Sequence, residues 1–155
     1  MPEFIIAETE EDYRLAADLL REYEAGLGVD LCFQGFPEEL RTLERTYGPP
    51  GGRFLILRSG EQIAGCVALE DSGDKVCEMK RLYVRPKFRG KGLGRKCAEE
   101  VVQIAREMGY AAMRLHTLPA MREAVALYRS MGFTEIAPYD ETPVGGVLFM
   151  ELGLG

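Results

Sequence analysis

Residues 88–96 read FRGKGLGRK, and this stretch decides how the rest of the chain is interpreted. Three glycines alternate with basic and apolar residues, and no acidic residue interrupts them. A strand pattern precedes the stretch and an amphipathic helix pattern follows it, so the glycines lie where a strand passes into a helix. Unpaired backbone N–H groups at a helix N-terminus attract anions, and glycines let a ligand approach closely. The stretch therefore predicts an anion-binding loop, with pyrophosphate as its natural ligand.

The distribution of charge supports a local anion site. Residues 80–96 hold eight of the 19 lysines and arginines and no acidic residue, whereas the remainder holds 11 basic and 25 acidic residues, a net charge of −14. The net charge of the whole chain is −6, which argues against general binding of nucleic acid, so no such partner is expected. Charge alone leaves a solvated basic face as the alternative.

The 155 residues suffice for one domain with a full core, so we expect a single domain over 1–155. The apolar runs are too short for a membrane helix, and the acidic N-terminal stretch lacks the pattern of a secretion signal. The four cysteines, Cys32, Cys66, Cys77 and Cys97, form no CxxC pair, and the chain has one histidine. We therefore expect no metal site and no membrane partner, and reduced thiols favour a cytoplasmic protein.

Hydrophobic periodicity predicts a mixed α/β domain with a hairpin-rich first half. Strands are predicted at 4–7, 53–58, 62–69, 76–84, 112–117, 133–139 and 146–152. Helices are predicted from a cap at Thr9 to Gly26 and Gly28, from 37 to 47, from the glycine loop to Gly109, and from Pro119 to Gly132. In the strand at 76–84 the alternation slips at residues 80–82, which predicts a bulge or local splay.

Two common phosphate-binding loops do not fit FRGKGLGRK. A Walker loop requires GxxxxGK followed by a serine or threonine, and that hydroxyl is missing here. The dinucleotide fingerprint requires GxGxxG, but the third glycine comes one residue early. The spacing that fits is Arg/Gln-x-x-Gly-x-Gly/Ala, with Arg89, Gly92 and Gly94.

With that spacing, the sequence resembles the GCN5-related N-acetyltransferase (GNAT) superfamily. LYV at 82–84, RGKGLG at 89–94 and AVALYRSMGF at 124–133 occur in the order and spacing of that family. The detailed match covers residues 76–133, and the order of elements covers the whole chain. The resemblance implies a mixed, mostly antiparallel sheet of about six or seven strands with about four helices and splayed central strands.

The resemblance implies acetyl-CoA as co-substrate. Main-chain groups on the strand at 82–84 would bind the pantetheine arm in the gap beside the strand at 112–117, and the loop amides would bind the pyrophosphate. The residues assigned in this way are Leu82, Tyr83, Val84, Arg89, Gly90, Lys91, Gly92, Leu93, Gly94 and Arg95. Lys87, Lys96 or Arg95 would face the 3′-phosphate.

The resemblance also assigns catalytic roles. Tyr128 would protonate the leaving thiolate, with a core tyrosine as the alternative, and the N–H of Val84 would stabilise the oxyanion. The base stays open between Glu78 and His116, because either side chain could instead have a structural role. Many family members have an asparagine where this chain has Met121, so that contact must be absent or replaced by Thr117.

The acceptor site would draw on the loop after the first helix and on the final hairpin. Its predicted residues are Phe33, Gln34, Phe36 and the segment 139–144, with Arg81 or Lys80 meeting a substrate carboxylate. Such walls suggest the primary amine of a small, partly apolar, amino-acid-like molecule, although core packing explains Phe33 and Phe36 equally well. The alternatives are a protein lysine or N-terminus, an antibiotic amine, or an acyl-CoA sensor without turnover. The final hairpin offers an edge for a homodimer.

Overall fold

The computed structural model describes residues 2–27, 36–118, 121–139 and 147–155. Seven strands form one sheet in the order β1-β2-β3-β4-β5-β7-β6. All neighbouring pairs are antiparallel except β4 and β5, which run parallel, so the predicted mixed and mostly antiparallel sheet is confirmed. The strands are β1 (Pro2–Ile6), β2 (Arg53–Ser59), β3 (Gln62–Gly73), β4 (Val76–Val84), β5 (Ala112–Thr117), β6 (Thr134–Ile136) and β7 (Leu148–Gly153).

Five α-helices lie in the described ranges. They are α1 (Glu10–Leu27), α2 (Phe36–Arg41), α3 (Leu43–Tyr47), α4 (Leu93–Glu107) and α5 (Arg122–Ser130). The predicted cap of α1 is present, because the Asp12 N–H donates to Thr9 Oγ1 (3.1 Å) and the Thr9 N–H donates to Asp12 Oδ2 (3.2 Å). Two donors at the start of α1 are thereby satisfied reciprocally.

The helices cover both faces of the sheet. Successive residues of β2 alternate between the two cores, with Leu55 and Leu57 packing toward α4 and α5, and Phe54 and Ile56 packing toward α1, α2 and α3. This alternation follows from the two-residue repeat of a strand. Each face therefore has its own apolar core, and the sheet separates the two cores.

The parallel junction between β4 and β5 is short. Only three residue pairs join them, from Val76↔Ala112 to Glu78↔Arg114, although β4 continues to Val84 and β5 to Thr117. The two strands therefore separate beyond Glu78, and the predicted splay of the central strands is confirmed. We call the opening between 79–84 and 115–117 the splay gap.

β4 contains a bulge at Arg81. The β3–β4 ladder pairs Cys66 with Tyr83. The next pair joins Ala68 to Lys80, so two residues of β4 lie opposite the single intervening residue of β3. Arg81 has a left-handed backbone (φ 59°), a conformation that costs a non-glycine residue about 1–2 kcal/mol. The bulge predicted from the slipped alternation is confirmed.

Two predicted elements differ from the structure. The single helix expected at 37–47 is divided at Thr42, whose hydroxyl donates to the Glu38 carbonyl (2.9 Å) and thereby competes with the helical hydrogen bonds. The strand expected at 133–139 is only Thr134–Ile136 long, since Pro138 has no N–H for a ladder. The pairing of β6 with β7 is as expected, while the intervening turn lies outside the described residues.

Candidate active site

The N-terminus of α4 and the loop before it carry an unusual run of hydrogen-bond donors. The six main-chain N–H groups from Gly90 to Arg95 have no acceptor anywhere in the described part of the chain. The first N–H beyond the run, that of Lys96, donates to the Gly92 carbonyl (3.2 Å). An ordinary helix leaves about four such donors, and they attract anions together with the helix dipole. The loop fits a pyrophosphate through these amides.

The glycines of this loop have different reasons to be glycine. Gly90 and Gly92 have positive φ angles of 80° and 75°, which side chains rarely adopt. Gly94 lies in the first turn of α4 without a positive φ, and a Cβ atom there would meet no protein atom within 4 Å. A glycine in a helix costs about 1 kcal/mol relative to alanine. Neither backbone nor packing requires Gly94, and its missing side chain leaves room for a ligand beside the donor run.

The basic side chains around the loop make specific contacts. Arg89 Nε donates to the Val84 carbonyl (2.9 Å), and Arg95 Nη2 donates to Ser130 Oγ (2.6 Å), which joins α4 to α5. The ammonium of Lys91 lies 5.7 Å from the centre of the Phe88 ring. These cations belong to the residues of the donor run or directly precede it, and they add positive charge to this part of the molecule.

The outer half of β4 forms one wall of the splay gap. The side chains of Leu82 and Val84 pack against the core on the α4 side, whereas Tyr83 is buried on the α1 side. The Arg85 N–H donates to the Ala64 carbonyl of β3 (2.7 Å). Because main-chain groups alternate in direction along a strand, the N–H of Val84 points away from β3 and toward the gap.

Glu78 and His116, the two candidate bases, contact each other. His116 Nδ1 lies 3.0 Å from Glu78 Oε2, across the point where β4 and β5 begin to separate. The Tyr139 hydroxyl donates to the same carboxylate oxygen (3.1 Å). Tyr139 and His116 both pack against the Phe149 ring, at centroid distances of 4.9 and 5.9 Å. The predicted alternatives therefore form one hydrogen-bonded unit.

The surroundings of Glu78 favour its charged form. Burial acts to raise its pKa, but the hydrogen bonds from His116 and Tyr139 and the positive charge of Lys80 outweigh burial, and the pKa is lowered from its usual value. Both hydrogen bonds end on Oε2, and Oε1 has no partner within the described residues. The unit thus holds an ionised carboxylate with one oxygen available.

Tyr128 of α5 is buried, at 7% exposure, and packs against Phe133 at a centroid distance of 5.8 Å. Its pKa is raised above the usual value by burial, with smaller contributions from Tyr23 and Cys97. The phenol is therefore protonated at neutral pH. Its hydroxyl has no hydrogen-bond partner in the described part of the chain.

Comparisons with known proteins decide the family. Residues 12–133 match the model of the acetyltransferase (GNAT) family. The chain is a GNAT-family acetyltransferase. This acetyltransferase is 42% identical over 144 residues to an uncharacterized N-acetyltransferase of Schizosaccharomyces pombe, covering 92% of this chain and 86% of the relative. It is 33% identical over 157 residues to the IAA acetyltransferase of Azospirillum brasilense, covering 97% and 98%.

Solved structures agree with this assignment. The GNAT-family acetyltransferase of Staphylococcus aureus superimposes with a TM-score of 0.81 at 19% identity, over 100% of both chains. The yncA protein of Salmonella typhimurium, solved with its cofactor acetyl-CoA, superimposes with a TM-score of 0.71 at 24% identity, over 100% of this chain and 95% of that one. At these identities the likeness shows the fold.

The acceptor residues predicted for this GNAT acetyltransferase have mixed outcomes. Phe33 and Gln34 lie outside the described residues, as does most of segment 139–144. Phe36 is 1% exposed, so core packing accounts for it. Arg81 is 5% exposed, and its Nε and Nη2 donate to Glu39 (2.9 and 2.8 Å). The predicted contact of Arg81 with a substrate carboxylate is therefore not supported, because these donors are engaged in a buried ion pair.

Two further residues named from the sequence, Thr117 and Lys80, have side-chain contacts in the structure. Thr117 lies beside Met121, with Oγ1 3.9 Å from the thioether sulfur, so the residue suggested to replace the family asparagine is in contact with that position. Lys80 pairs with Glu70 (3.2 Å) and is only partly exposed.

No helix in the described ranges is long and apolar enough to cross a membrane. Within those ranges, no cluster of three or more His, Cys, Asp or Glu side chains is arranged to hold a metal.

Sequence reasoning missed two contacts of the GNAT acetyltransferase. Tyr139 was expected only as part of the acceptor wall, and its bond to Glu78 was not foreseen. The buried carboxylate of Glu39 had a visible signal, because it lies three residues after Phe36 and four before Leu43, on the apolar face of the helix. A charged residue on such a face indicates a buried partner.

Proposed function

We propose that this enzyme transfers the acetyl group of acetyl-CoA directly to the primary amine of a small, amino-acid-like molecule bound beside the cofactor. The observation that carries the proposal is the run of six unpartnered amides from Gly90 to Arg95, which opens beside a gap in the sheet. Gly94 supports it, because neither packing nor backbone explains a glycine in that turn. The acetyl-CoA bound to a structural neighbour is consistent with the same ligand here.

Acetyl-CoA would supply an activated acetyl group as a thioester. The amides of the loop would bind its pyrophosphate, and the nearby Lys91 and Arg95 would add positive charge. The main chain of Leu82, Tyr83 and Val84 would hold the pantetheine arm along the splay gap. The Val84 N–H, which points toward the gap, would stabilise the oxyanion of the tetrahedral intermediate.

Glu78 and His116 would together accept the proton of the acceptor amine. The ionised carboxylate holds the imidazole in place through Nδ1, and its Oε1 is available to an amine or an intervening water. Such positioning of a base by a second group is a common arrangement in nucleophile activation. Tyr139, which belongs to the predicted acceptor wall, would link the position of this unit to the bound amine.

Tyr128 would donate a proton to the leaving thiolate. Its raised pKa keeps the phenol protonated at neutral pH, so its O–H is present to donate to the sulfur as negative charge develops there. The absence of a fixed partner for its hydroxyl in the described residues supports this role over a purely structural one.

The proposal is tested by free-thiol release from acetyl-CoA with a panel of amines, together with thermal unfolding in the presence of acetyl-CoA alone. At 100 times its dissociation constant, acetyl-CoA should stabilise the fold by about 2.7 kcal/mol. Turnover should be highest with amino-acid-like primary amines. Stabilisation without turnover on small amines or on basic and N-terminal peptides would favour a sensor, and turnover confined to the peptides would favour a protein substrate. The absence of stabilisation would refute the cofactor assignment.

A further inference from the structure

Arg81 occupies a backbone conformation that ordinarily belongs to glycine. Its φ of 59° places it in the left-handed region, at the bulge where β4 turns toward the splay gap. A strained backbone of this kind persists only when its surroundings hold it. The contacts of the Arg81 side chain are therefore candidates for what holds the bulge.

Those contacts lead to α2 and α3. Both carboxylate oxygens of Glu39 accept from Arg81, at 2.9 Å from Nε and 2.8 Å from Nη2, and Oε2 also accepts from the Tyr47 hydroxyl (2.7 Å). The guanidinium lies 5.0 Å from the Phe36 ring centre and 5.9 Å from that of Tyr23. Bidentate bonding fixes both the position and the plane of the guanidinium.

The Glu39–Arg81 ion pair joins two parts of the chain that lie beside predicted binding sites. α2 begins at Phe36, close in sequence to Phe33 and Gln34, which are predicted to contribute to the acceptor site. Beyond the bulge, β4 carries the main chain of 82–84 that is proposed to bind acetyl-CoA. A change in the bulge would therefore change the direction of the Val84 N–H.

We propose that Glu39 is a positioning residue for acetyl-CoA: through Arg81 it holds the bulge of β4 in the register that directs the outer half of the strand into the splay gap. The inference rests on the proposed function only for the identity of the ligand. A purely structural ion pair is the competing explanation, since buried pairs can often be replaced without loss of fold. The two explanations differ in what they predict for ligand affinity and for local exchange.

The first experiment uses Glu39→Gln, which keeps the shape of the side chain and removes its charge. Acetyl-CoA affinity is measured by titration calorimetry, and hydrogen–deuterium exchange is followed in peptides covering 79–85 and 97–107. We expect the affinity to fall by about tenfold and exchange to increase over 79–85 but not over 97–107. The matched control is Glu38→Gln in the same helix, because the exposed pair of Glu38 with Arg41 (3.2 and 2.7 Å) does not involve β4. It should bind acetyl-CoA as the parent does.

The second experiment compares glycine with alanine at position 81 in the Glu39→Gln background, so that no buried charge is left unpaired. Without the anchor, glycine still permits the left-handed backbone and alanine resists it. Glu39→Gln/Arg81→Gly should therefore bind acetyl-CoA more tightly than Glu39→Gln/Arg81→Ala. A purely structural pair predicts equal affinities, because the left-handed backbone favours glycine for stability in either case while the ligand would not depend on it.

The inference would be overturned if Glu39→Gln bound acetyl-CoA with the affinity of the parent and exchanged over 79–85 at the rate of the parent. It would also be overturned if the glycine variant bound acetyl-CoA no more tightly than the alanine variant. If the parent protein itself shows no binding of acetyl-CoA, the proposed function fails. The exchange measurement needs no ligand, so it decides separately whether Glu39 holds the bulge.

Discussion

The two oxygens of the Glu78 carboxylate have different surroundings. Oε2 accepts from His116 and Tyr139, while Oε1 has no partner among the described residues. The two donors fix the rotation of the carboxylate, which keeps Oε1 directed at one place. At the residue scale, the hydrogen bonds from His116 and Tyr139 therefore influence both the charge and the orientation of the candidate base.

Replacing Glu78 by glutamine should reduce kcat/KM by about 10²–10⁴-fold, because the amide cannot accept a proton or hold the imidazole in the same way. Steady-state kinetics with the best amine of the panel measure this effect. Glu70→Gln is the matched control, since Glu70 lies directly opposite Glu78 in the β3–β4 ladder, and it should keep nearly the parental rate. A Glu78→Gln variant as active as the parent would contradict the assignment.

The pH profile separates Glu78 from His116. Because the pKa of Glu78 is lowered, its protonation should reduce kcat/KM only below about pH 4.3, the ordinary value of a glutamate. An acidic limb at higher pH then belongs to another group. If His116 is the base, that limb should be present in the parent and absent from the residual activity of His116→Gln. Persistence of the limb in His116→Gln would exclude His116 as its origin.

Removing the Tyr128 hydroxyl should lower the rate of catalysis without lowering the stability of the fold. We expect Tyr128→Phe to lose about 10²–10⁴-fold in kcat, because the leaving thiolate has no proton donor. Its free energy of unfolding should not fall, since the hydroxyl makes no hydrogen bond to the described residues. Rate assays and urea unfolding test the two statements. Tyr13→Phe, remote from the gap, is the control, and an unchanged kcat in Tyr128→Phe would refute the role.

The sequence identified the candidate residues of the site but not their contacts. Glu78 and His116 were candidates from their places on two strands, yet they are 38 positions apart and meet only because β4 and β5 pair in one register. Tyr139 is 61 positions from Glu78. Such contacts depend on strand order and register, which periodicity does not specify.

At the scale of single elements, the start of α4 combines two requirements. Gly92 has the left-handed backbone that turns the chain into the helix. Neither the backbone nor neighbouring protein atoms require a glycine at position 94. Elsewhere the close approach of β3 and β4 imposes a requirement on β3, since a Cβ at Gly65 would clash with the Tyr83 carbonyl oxygen. Gly92 is thus required by a turn and Gly65 by a crowded backbone, whereas Gly94 leaves room for a ligand.

Gly94→Ala should increase stability and weaken acetyl-CoA binding. The free energy of unfolding should rise by up to about 1 kcal/mol through helix propensity, while the new methyl group should obstruct the ligand at the donor run. Urea unfolding and calorimetric titration with acetyl-CoA measure the two effects. Gly26→Ala, also helical and without nearby atoms, is the control for propensity alone. Undiminished affinity in Gly94→Ala would show that no ligand approaches there.

Elements with a strong local pattern were predictable. The strands around both hairpins, the bulge and the helix behind the glycine loop agree with the sequence, because alternation and glycine positions are local properties. The division at Thr42 was not foreseen, since helical spacing continues through it and only the hydroxyl bond to Glu38 interrupts it. The short β6 reflects a conflict between an apolar pattern and Pro138.

At the scale of the whole molecule, the buried ion pair between Glu39 and Arg81 connects the sheet to the helices on the α1 side. Glu39 and Arg81 have side-chain exposures of only 7% and 3%. Burial acts to raise the pKa of Glu39, but the bonds from Arg81 outweigh it and the pKa is lowered. A lowered folded pKa gives stability that is present above the unfolded value of about 4.3 and is lost as pH falls through the folded value.

Glu39→Gln should therefore be less stable than the parent by about 3 kcal/mol at pH 7, and the difference should shrink as pH falls below about 4. Urea unfolding of both proteins at pH 7, 5, 4 and 3 gives the difference directly. Glu38→Gln is the control, because the Glu38–Arg41 pair is exposed and should contribute less than about 1 kcal/mol. A pH-independent difference would mean that the charge of Glu39 is not the cause.

Burial of the three described cysteines has a consequence for the proposed use of a thioester. Cys66, Cys77 and Cys97 are fully buried, and desolvation raises the pKa of Cys77 and of Cys97 to about 12. Thioesters are attacked by thiolates, and at neutral pH these three side chains are thiols. Among the described cysteines, none offers a nucleophile that would divert the acetyl group onto the enzyme itself. The packing that builds the core thereby also protects Cys66, Cys77 and Cys97 from acylation.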